Sequence, residues 1–164
     1  MRLVMRTSPN WNHRPPGVAV SCVVLHATAD NDTQASVQWC CDKQSKVSYH
    51  TIIDRDGTVY ALVESGKRAW HAGVSAFQGR DDVNDFSLGL SFANANDGHE
   101  AYTDVQYEVG ASIVQGWLAQ YPAITRDRIT THAAIALPKG RKTDPKGFDL
   151  ERFLGLLDFP GNGS

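Results

Sequence analysis

The period of the apolar positions changes several times along this chain, and each change marks an element. Val23, Val24 and Leu25 form a short apolar run rich in β-branched residues, as a buried strand requires, and His26 stands at its C-terminal end. Residues 31–45, NDTQASVQWCCDKQS, read as a helix that Asp32 or Thr33 can cap, with Ala35 and Trp39 four apart on one side. Residues 48–63, SYHTIIDRDGTVYALV, read as a hairpin. Two β-rich runs flank Asp56-Gly57, where glycine supplies the positive φ of a tight turn. Residues 64–85 are polar and contain glycines, which predicts a long surface loop, and SLGLSFAN (87–94) reads as a strand.

Thr103 and Gln106 have the spacing of a capping box. After them Val105, Val109, Ile113 and Trp117 recur at helical spacing, with Val114, Leu118 and Tyr121 beside them, and Pro122 ends the run. RITTHA (128–133) is a short strand, and Asp149 can cap a last helix carrying Leu150, Phe153, Leu154 and Leu157 on one face. Residues 1–19 read as an irregular leading segment stopped by Pro15-Pro16-Gly17, and 159–164 as a disordered tail. With no repeat and no internal linker, residues 1–164 are expected to form a single α/β domain with a mixed central sheet.

The 164 residues are enough for one domain with a real core, and 41% hydrophobic with 21% charged residues is an ordinary globular balance. A net charge of -2 argues against broad binding to nucleic-acid phosphates. No run has the length of a transmembrane helix and the N-terminal residues lack an apolar signal core, so no membrane insertion is expected. Synthesis is expected in the cytoplasm, which a phage protein released by lysis would share. Cys22, Cys40 and Cys41 are odd in number and partly adjacent, so they form neither a disulfide framework nor a zinc knuckle. A monomer is expected.

One stretch is chemically unusual. HAAIALPKGRKTD runs from His132 to Asp144 and holds Lys139, Arg141 and Lys142 between them. Among the six histidines, His26 and His132 each end a predicted strand and open a loop, where α/β proteins gather reactive groups from distant sequence. His13 and His99 have no such place and read as solvated or structural. His50 follows Tyr49 in a strand and should point to the opposite face, in a structural role. Two histidines and one carboxylate are the ligand count of a catalytic zinc site with an open fourth position. His26 and His132 lie far apart in the sequence, so spacing alone leaves that site undecided.

Five motifs then occur in one order: VVLHATAD, SYHTIIDRDGTVYALV, RAWHAG, NDFSLGLSFAN and THAAIALPKGRKTDP. Together they resemble the zinc-dependent N-acetylmuramoyl-L-alanine amidase family, which includes phage endolysin amidases, bacterial wall-recycling amidases and animal peptidoglycan recognition proteins. The resemblance runs from about Val20 to Phe153, and GRKTDP is its most telling part. It implies a mixed sheet flanked by helices, with a zinc groove at one face. The family's zinc ligands fall on His26, His132 and Asp144, so the basic loop would fold Asp144 back to the metal and deliver Lys142 beside it. Lys142, and Tyr49 in SYH as in the phage members' GYH, are implied as catalytic groups. Trp70 and His71 of RAWHAG are expected to wall the groove, where they either touch the substrate or anchor their own loop, and Arg80 is a candidate to bind a stem-peptide carboxylate, against a place on a solvated face. Lys139 and Arg141 would make the rim positive.

The chain departs from the family at three places. Ala27 stands where many members have a second histidine, and Ala133-Ala134 follow His132 where many have Ser-Asp. Ser91 stands in SLGLS where many recycling and wall amidases carry the glutamate base of SIGIE, and serine cannot serve as a carboxylate base. Some phage members also lack that glutamate and rely on tyrosine and lysine. Ser91, Tyr49 and the short chain therefore lead to the expectation of a phage endolysin. Its zinc would acidify the water that cleaves the amide between N-acetylmuramic acid and L-alanine in peptidoglycan. The alternatives are a cytoplasmic anhydro-muropeptide recycling amidase, which KTDP and VND resemble, and a non-catalytic peptidoglycan-recognition module, which the presence of all three ligands disfavours.

Overall fold

The structure is a computed structural model that describes residues 1–160. Its strands are β1 (Leu3–Met5), β2 (Trp11–Asn12), β3 (Cys22–Ala27), β4 (Thr51–Ile53), β5 (Val59–Ala61), β6 (Arg68–Ala69), β7 (Ala76–Phe77), β8 (Arg80–Asp81), β9 (Ser87–Phe92) and β10 (Ile129–Thr131). Its helices are α1 (Thr33–Cys41), α2 (Asp104–Gln120), α3 (His132–Ile135) and α4 (Leu150–Leu154). The main sheet has the order β1-β5-β4-β9-β3-β10. The β5–β4 hairpin is antiparallel and the other neighbours are parallel, so the sheet is mixed as expected.

The period of two along β3 and β9 sorts the two faces of this sheet. Val23, Leu25 and Ala27 of β3 join Leu88, Leu90 and Phe92 of β9 beneath α2 and α4. Cys22 and Val24 face the other way and pack with Val83, Phe86 and Ile135. On that second side α1 closes over Ile52, Tyr60 and Leu62 through Val37 and Cys40. Helices thus cover both faces, and His26 falls in step with Cys22 and Val24, away from α2.

Local chemistry sets the element ends. Asp32 caps α1 by accepting from the Gln34 and Ala35 N–H groups, and Asp149 caps α4. Thr103 and Gln106 form the reciprocal capping box of α2. Gly57, at φ 88°, lets the Asp54 N–H reach the Thr58 carbonyl and close the hairpin.

Several expectations change. Residues 1–19 are not irregular throughout, because β1 pairs with β5 at the sheet edge and β2 pairs with β6. Three residues are too few to show a period, and Leu3 and Met5 are exposed, so no apolar run announced them. In α1 the buried side is Ser36, Val37 and Cys40, and Trp39 faces solvent. In α2 the buried stripe is Tyr107, Gly110, Ala111, Val114, Trp117 and Leu118, with Val105, Val109 and Ile113 along its edge. Residues 64–85 contain β6, β7 and β8, and they bury Ala69, His71 and Ala72. Of the expected tail, Phe159 packs against the core, and residues 161–164 lie outside the described residues.

His50 is a core residue. Its Nδ1 accepts from the Gly89 N–H at 2.9 Å, so its Nε2–H donates to the Lys67 carbonyl at 2.8 Å. Burial pushes it from 6.5 down to about 3. The unfolded chain therefore takes up this proton first as the pH falls, and stability is lost between the ordinary value of 6.5 and the folded value of about 3. Urea unfolding should show a free energy that declines by about 1.4 kcal/mol per pH unit for this one proton below about pH 6. A stability that stays level from about pH 7 to about pH 5 would contradict it.

The contact of α2 with the sheet yields a paired test. A Cβ at Gly110 would stand 2.8 Å from Phe92 Cε1 and 3.2 Å from Phe153 Cε2, whereas one at Gly116 would meet nothing within 4 Å. Both alanines gain about 1 kcal/mol of helix propensity. Overpacking against buried rings costs about 1–3 kcal/mol. Gly116→Ala should therefore raise the unfolding free energy and Gly110→Ala should lower it, as read by urea denaturation. Equal gains at both positions would refute the close approach at Gly110.

Candidate active site

The parallel register of β3, β9 and β10 brings distant residues to one edge of the sheet. His26 pairs with Ser91, and Thr131 pairs with Leu25, so His132 emerges beside His26. His132 does not open a loop directly. It is the first residue of α3, which Thr131 caps through the Ala134 N–H. The loop that follows is closed at its base, where the Ala133 N–H donates to the Asp144 carbonyl at 2.9 Å. His26 Nδ1 then lies 3.2 Å from Asp144 Oδ2, and His132 Nδ1 lies 3.1 Å from Asp144 Oδ1. One ligand atom from each of the three lies within 4.8 Å of the others, and all three residues are buried.

This donor set fits a zinc-like divalent ion: two imidazole nitrogens and one carboxylate converge on one point. The His132 Nε2–H donates to the Ala72 carbonyl at 3.1 Å, which leaves the Nδ1 lone pair facing the cluster. Burial lowers His26 to about 4, so its ring is neutral near pH 7. Burial alone would raise the Asp144 carboxyl, but the neighbouring His132 and His26 rings outweigh that and hold it well below the usual carboxylate range. A deprotonated carboxylate beside a neutral imidazole is what metal binding requires.

A groove of about 600 Å³ opens over the cluster, with Tyr49, Trp70 and Lys142 in its walls. The Tyr49 ring lies 5.0 Å from the His26 ring between centroids. Desolvation lifts the Tyr49 phenol above its usual range, so it keeps its proton. Lys142 is exposed at the rim. Ser91 is fully buried, and its hydroxyl has no hydrogen-bond partner among the described residues, although its position beside Tyr49 influences the phenol. Trp70 is half-buried and tied by its Nε1–H to Asn12 Oδ1 at 2.9 Å, so it both walls the groove and anchors its own segment.

Two expected substrate contacts are placed differently from one another: His71 lines the groove but is buried, and Arg80 lies outside it. His71 lies behind His26, with Nδ1 2.9 Å from His26 Nε2 and Nε2 3.1 Å from Ser87 Oγ. Both ring nitrogens are engaged within the protein. Arg80 is exposed on β8, with its guanidinium 4.1 Å from the centre of the Phe86 ring, and it does not line the groove. Arg141 is more than a rim charge: its guanidinium donates to the Leu137 and Val74 carbonyls at 2.8 and 3.0 Å and pins the basic loop. Sequence reasoning passed over Asn84 and Asn96. Asn84 Oδ1 accepts from the His71 and Ala72 N–H groups at 3.1 and 2.9 Å. Asn96 joins the Thr143 hydroxyl and the Lys146 N–H, tying the loop after β9 to the loop that carries Asp144. The NDF of the fourth motif and the overlapping VND pointed toward Asn84 without giving it a role, and nothing singled out Asn96.

Known proteins agree with this geometry. Residues 16–147 match the N-acetylmuramoyl-L-alanine amidase family. The chain is 46% identical over 168 aligned residues to the 1,6-anhydro-N-acetylmuramyl-L-alanine amidase AmpD of Salmonella typhimurium SL1344, covering 92% of this chain and 87% of that one. Its similarity to a crystal structure of a selenomethionine AmpD derivative has a TM-score of 0.77 at 34% identity, covering 96% of this chain and 94% of the other. AmiD from E. coli, in complex with the substrate anhydro-N-acetylmuramic acid-L-Ala-D-gamma-Glu-L-Lys, gives a TM-score of 0.73 at 26% identity, over 88% of this chain and 60% of that one. Family match, similarity along nearly the whole chain and the buried His-His-Asp cluster converge: the chain belongs to the N-acetylmuramoyl-L-alanine amidase family and is an amidase of that class.

Proposed function

We propose that this enzyme is a zinc-dependent amidase of soluble anhydro-muropeptides, acting in wall recycling in the cytoplasm. The carrying observation is the convergence of His26, His132 and Asp144 beneath a groove walled by Tyr49 and Lys142. The similarity to AmpD over almost the whole chain favours the recycling reading and displaces the expectation of an endolysin. That expectation rested on Ser91, Tyr49 and chain length. Ser91 and Tyr49 bear on how a proton is moved, not on which sugar is recognised.

His26, His132 and Asp144 would hold the ion, which when bound supplies Lewis acidity to a carbonyl oxygen and acidifies water. The Lys142 ammonium places positive charge where the amide oxygen gains negative charge. Tyr49 retains its proton and can donate a hydrogen bond to that oxygen or a proton toward the departing amine. The Ser91 hydroxyl cannot take a proton from water near neutral pH, so it is no substitute for a carboxylate base. Trp70 offers an apolar ring to the sugar or peptide.

Metal analysis of the purified protein should give about one zinc per chain, in keeping with a single three-ligand site, and a sharp fall in His132→Ala. Unchanged zinc in that variant would remove the ligand assignment. With zinc bound, Lys142→Ala and Tyr49→Phe should each lower kcat by about 10²-fold or more, and Ser91→Ala should keep most activity. Comparable losses in all three would overturn this division of roles. Mass spectrometry of digests should show the lactyl–alanine amide cut in anhydro-muropeptides, with little release from intact sacculi. Equal cleavage of both substrates would restore the wall-lytic reading.

A further inference from the structure

His71 is a buried imidazole with both ring nitrogens engaged inside the protein, in a segment where sequence alone predicts a surface loop. It sits on the same side of the sheet as His26, over the middle of β9. Its ring occupies the space a side chain at position 89 would fill: a Cβ on Gly89 would stand 2.5 Å from His71 Cγ. The backbone that carries it is held by Asn84, whose Oδ1 accepts from the His71 N–H at 3.1 Å. Its Nδ1 lies 2.9 Å from His26 Nε2, and its Nε2 lies 3.1 Å from Ser87 Oγ, with Ser87 fully buried.

A neutral imidazole carries one N–H and one lone pair, so the row Ser87–His71–His26 can run in two directions. In one, His71 Nδ1 donates to His26 Nε2, and the proton of His26 is forced onto Nδ1, toward Asp144. In the other, the His26 Nε2–H donates to His71 Nδ1, the His71 Nε2–H donates to Ser87, and His26 presents its Nδ1 lone pair toward Asp144 and His132. Only the second direction leaves Nδ1 free to bind an ion. His132 reaches the same end by a different partner, the Ala72 carbonyl.

We propose that His71, backed by Ser87 and given room by Gly89, is a positioning residue that fixes the tautomer and ring angle of His26 for metal binding. It replaces the carboxylate or carbonyl that more commonly accepts from the outer nitrogen of a ligating histidine. The proposal rests on the assignment of His26, His132 and Asp144 as the metal ligands, and the test separates the two.

Zinc affinity is measured by competition with a chromogenic chelator on wild type, His132→Ala, His71→Leu, His71→Asn and Ser87→Ala, with circular dichroism to verify folding. Asparagine can place its Oδ1 near the position of His71 Nδ1 and accept from His26, whereas leucine cannot. His71→Leu should weaken zinc binding by about 10–100-fold, as loss of an outer-shell partner does. His71→Asn should recover most of that loss, and Ser87→Ala should show a smaller loss of the same sign. Long-range ¹H–¹⁵N spectra of the zinc-loaded wild type should place the His26 proton on Nε2. Equal affinities for folded His71→Leu and wild type, no advantage of Asn over Leu, or a His26 proton on Nδ1 would overturn the positioning role. If His71→Leu does not fold, the Asn and Ser87 variants and the wild-type spectrum still decide it. Wild-type zinc binding that His132→Ala leaves intact would instead overturn the ligand assignment itself.

Discussion

The register of β3 against β9 is the constraint on which the site depends. His26 lies opposite Ser91, Val24 opposite Gly89 and Cys22 opposite Ser87. Side chains alternate along a strand, so a shift of one residue would turn His26 into the apolar layer beneath α2 and bring Leu25 toward the groove. Val23, Leu25, Leu88, Leu90 and Phe92 are all fully buried in that layer, and none could move outward without exposing apolar surface. The core therefore acts on the chemistry directly: it determines which side of the sheet carries an imidazole.

The site side of β9 is built from small residues, Ser87, Gly89 and Ser91. A sheet face of this kind leaves volume above it, and the volume is filled by side chains from other segments. The His71 ring lies over Gly89, and Tyr49 stands near Ser91. The centre is thus assembled from rings on a floor without bulk. Asp144 is the one carboxylate among the described groove residues, facing a wall that includes Lys46, Arg141 and Lys142. Such a wall favours a substrate in which negative charge is present or develops during reaction.

The central strands β3, β9 and β10, the hairpin and three of the four helix caps were legible in the sequence because each depends on nearby residues: Asp32, Thr103 and Asp149 act within three positions of themselves. The cluster of His26, His132 and Asp144 was legible through its motifs, since the basic loop returns Asp144 over a short span. What was not legible depends on contacts between distant segments. Nothing near Leu3–Met5 shows that β5 offers it an open edge. The composition of residues 64–85 reads as solvated, yet β6 pairs with β2 and Asn84 folds the chain back over His71 and Ala72. Arg80 and Arg141 are alike by type, and only the fold decides that one lies over Phe86 while the other is pinned to carbonyls.

The Ala72 carbonyl accepts from two sides, from His132 Nε2 at 3.1 Å and from Arg141 Nη2 at 3.4 Å. One belongs to the ligand cluster and the other to the wall of the groove. A single peptide group thereby joins the ligand cluster to the lining of the groove. An occupant that steadies the wall would thereby also steady the cluster, and by thermodynamic reciprocity an ion held there would tighten the hold on that occupant by the same factor. Ion and occupant would then be coupled in affinity, so that a filled groove would hold the ion more firmly against competing chelators.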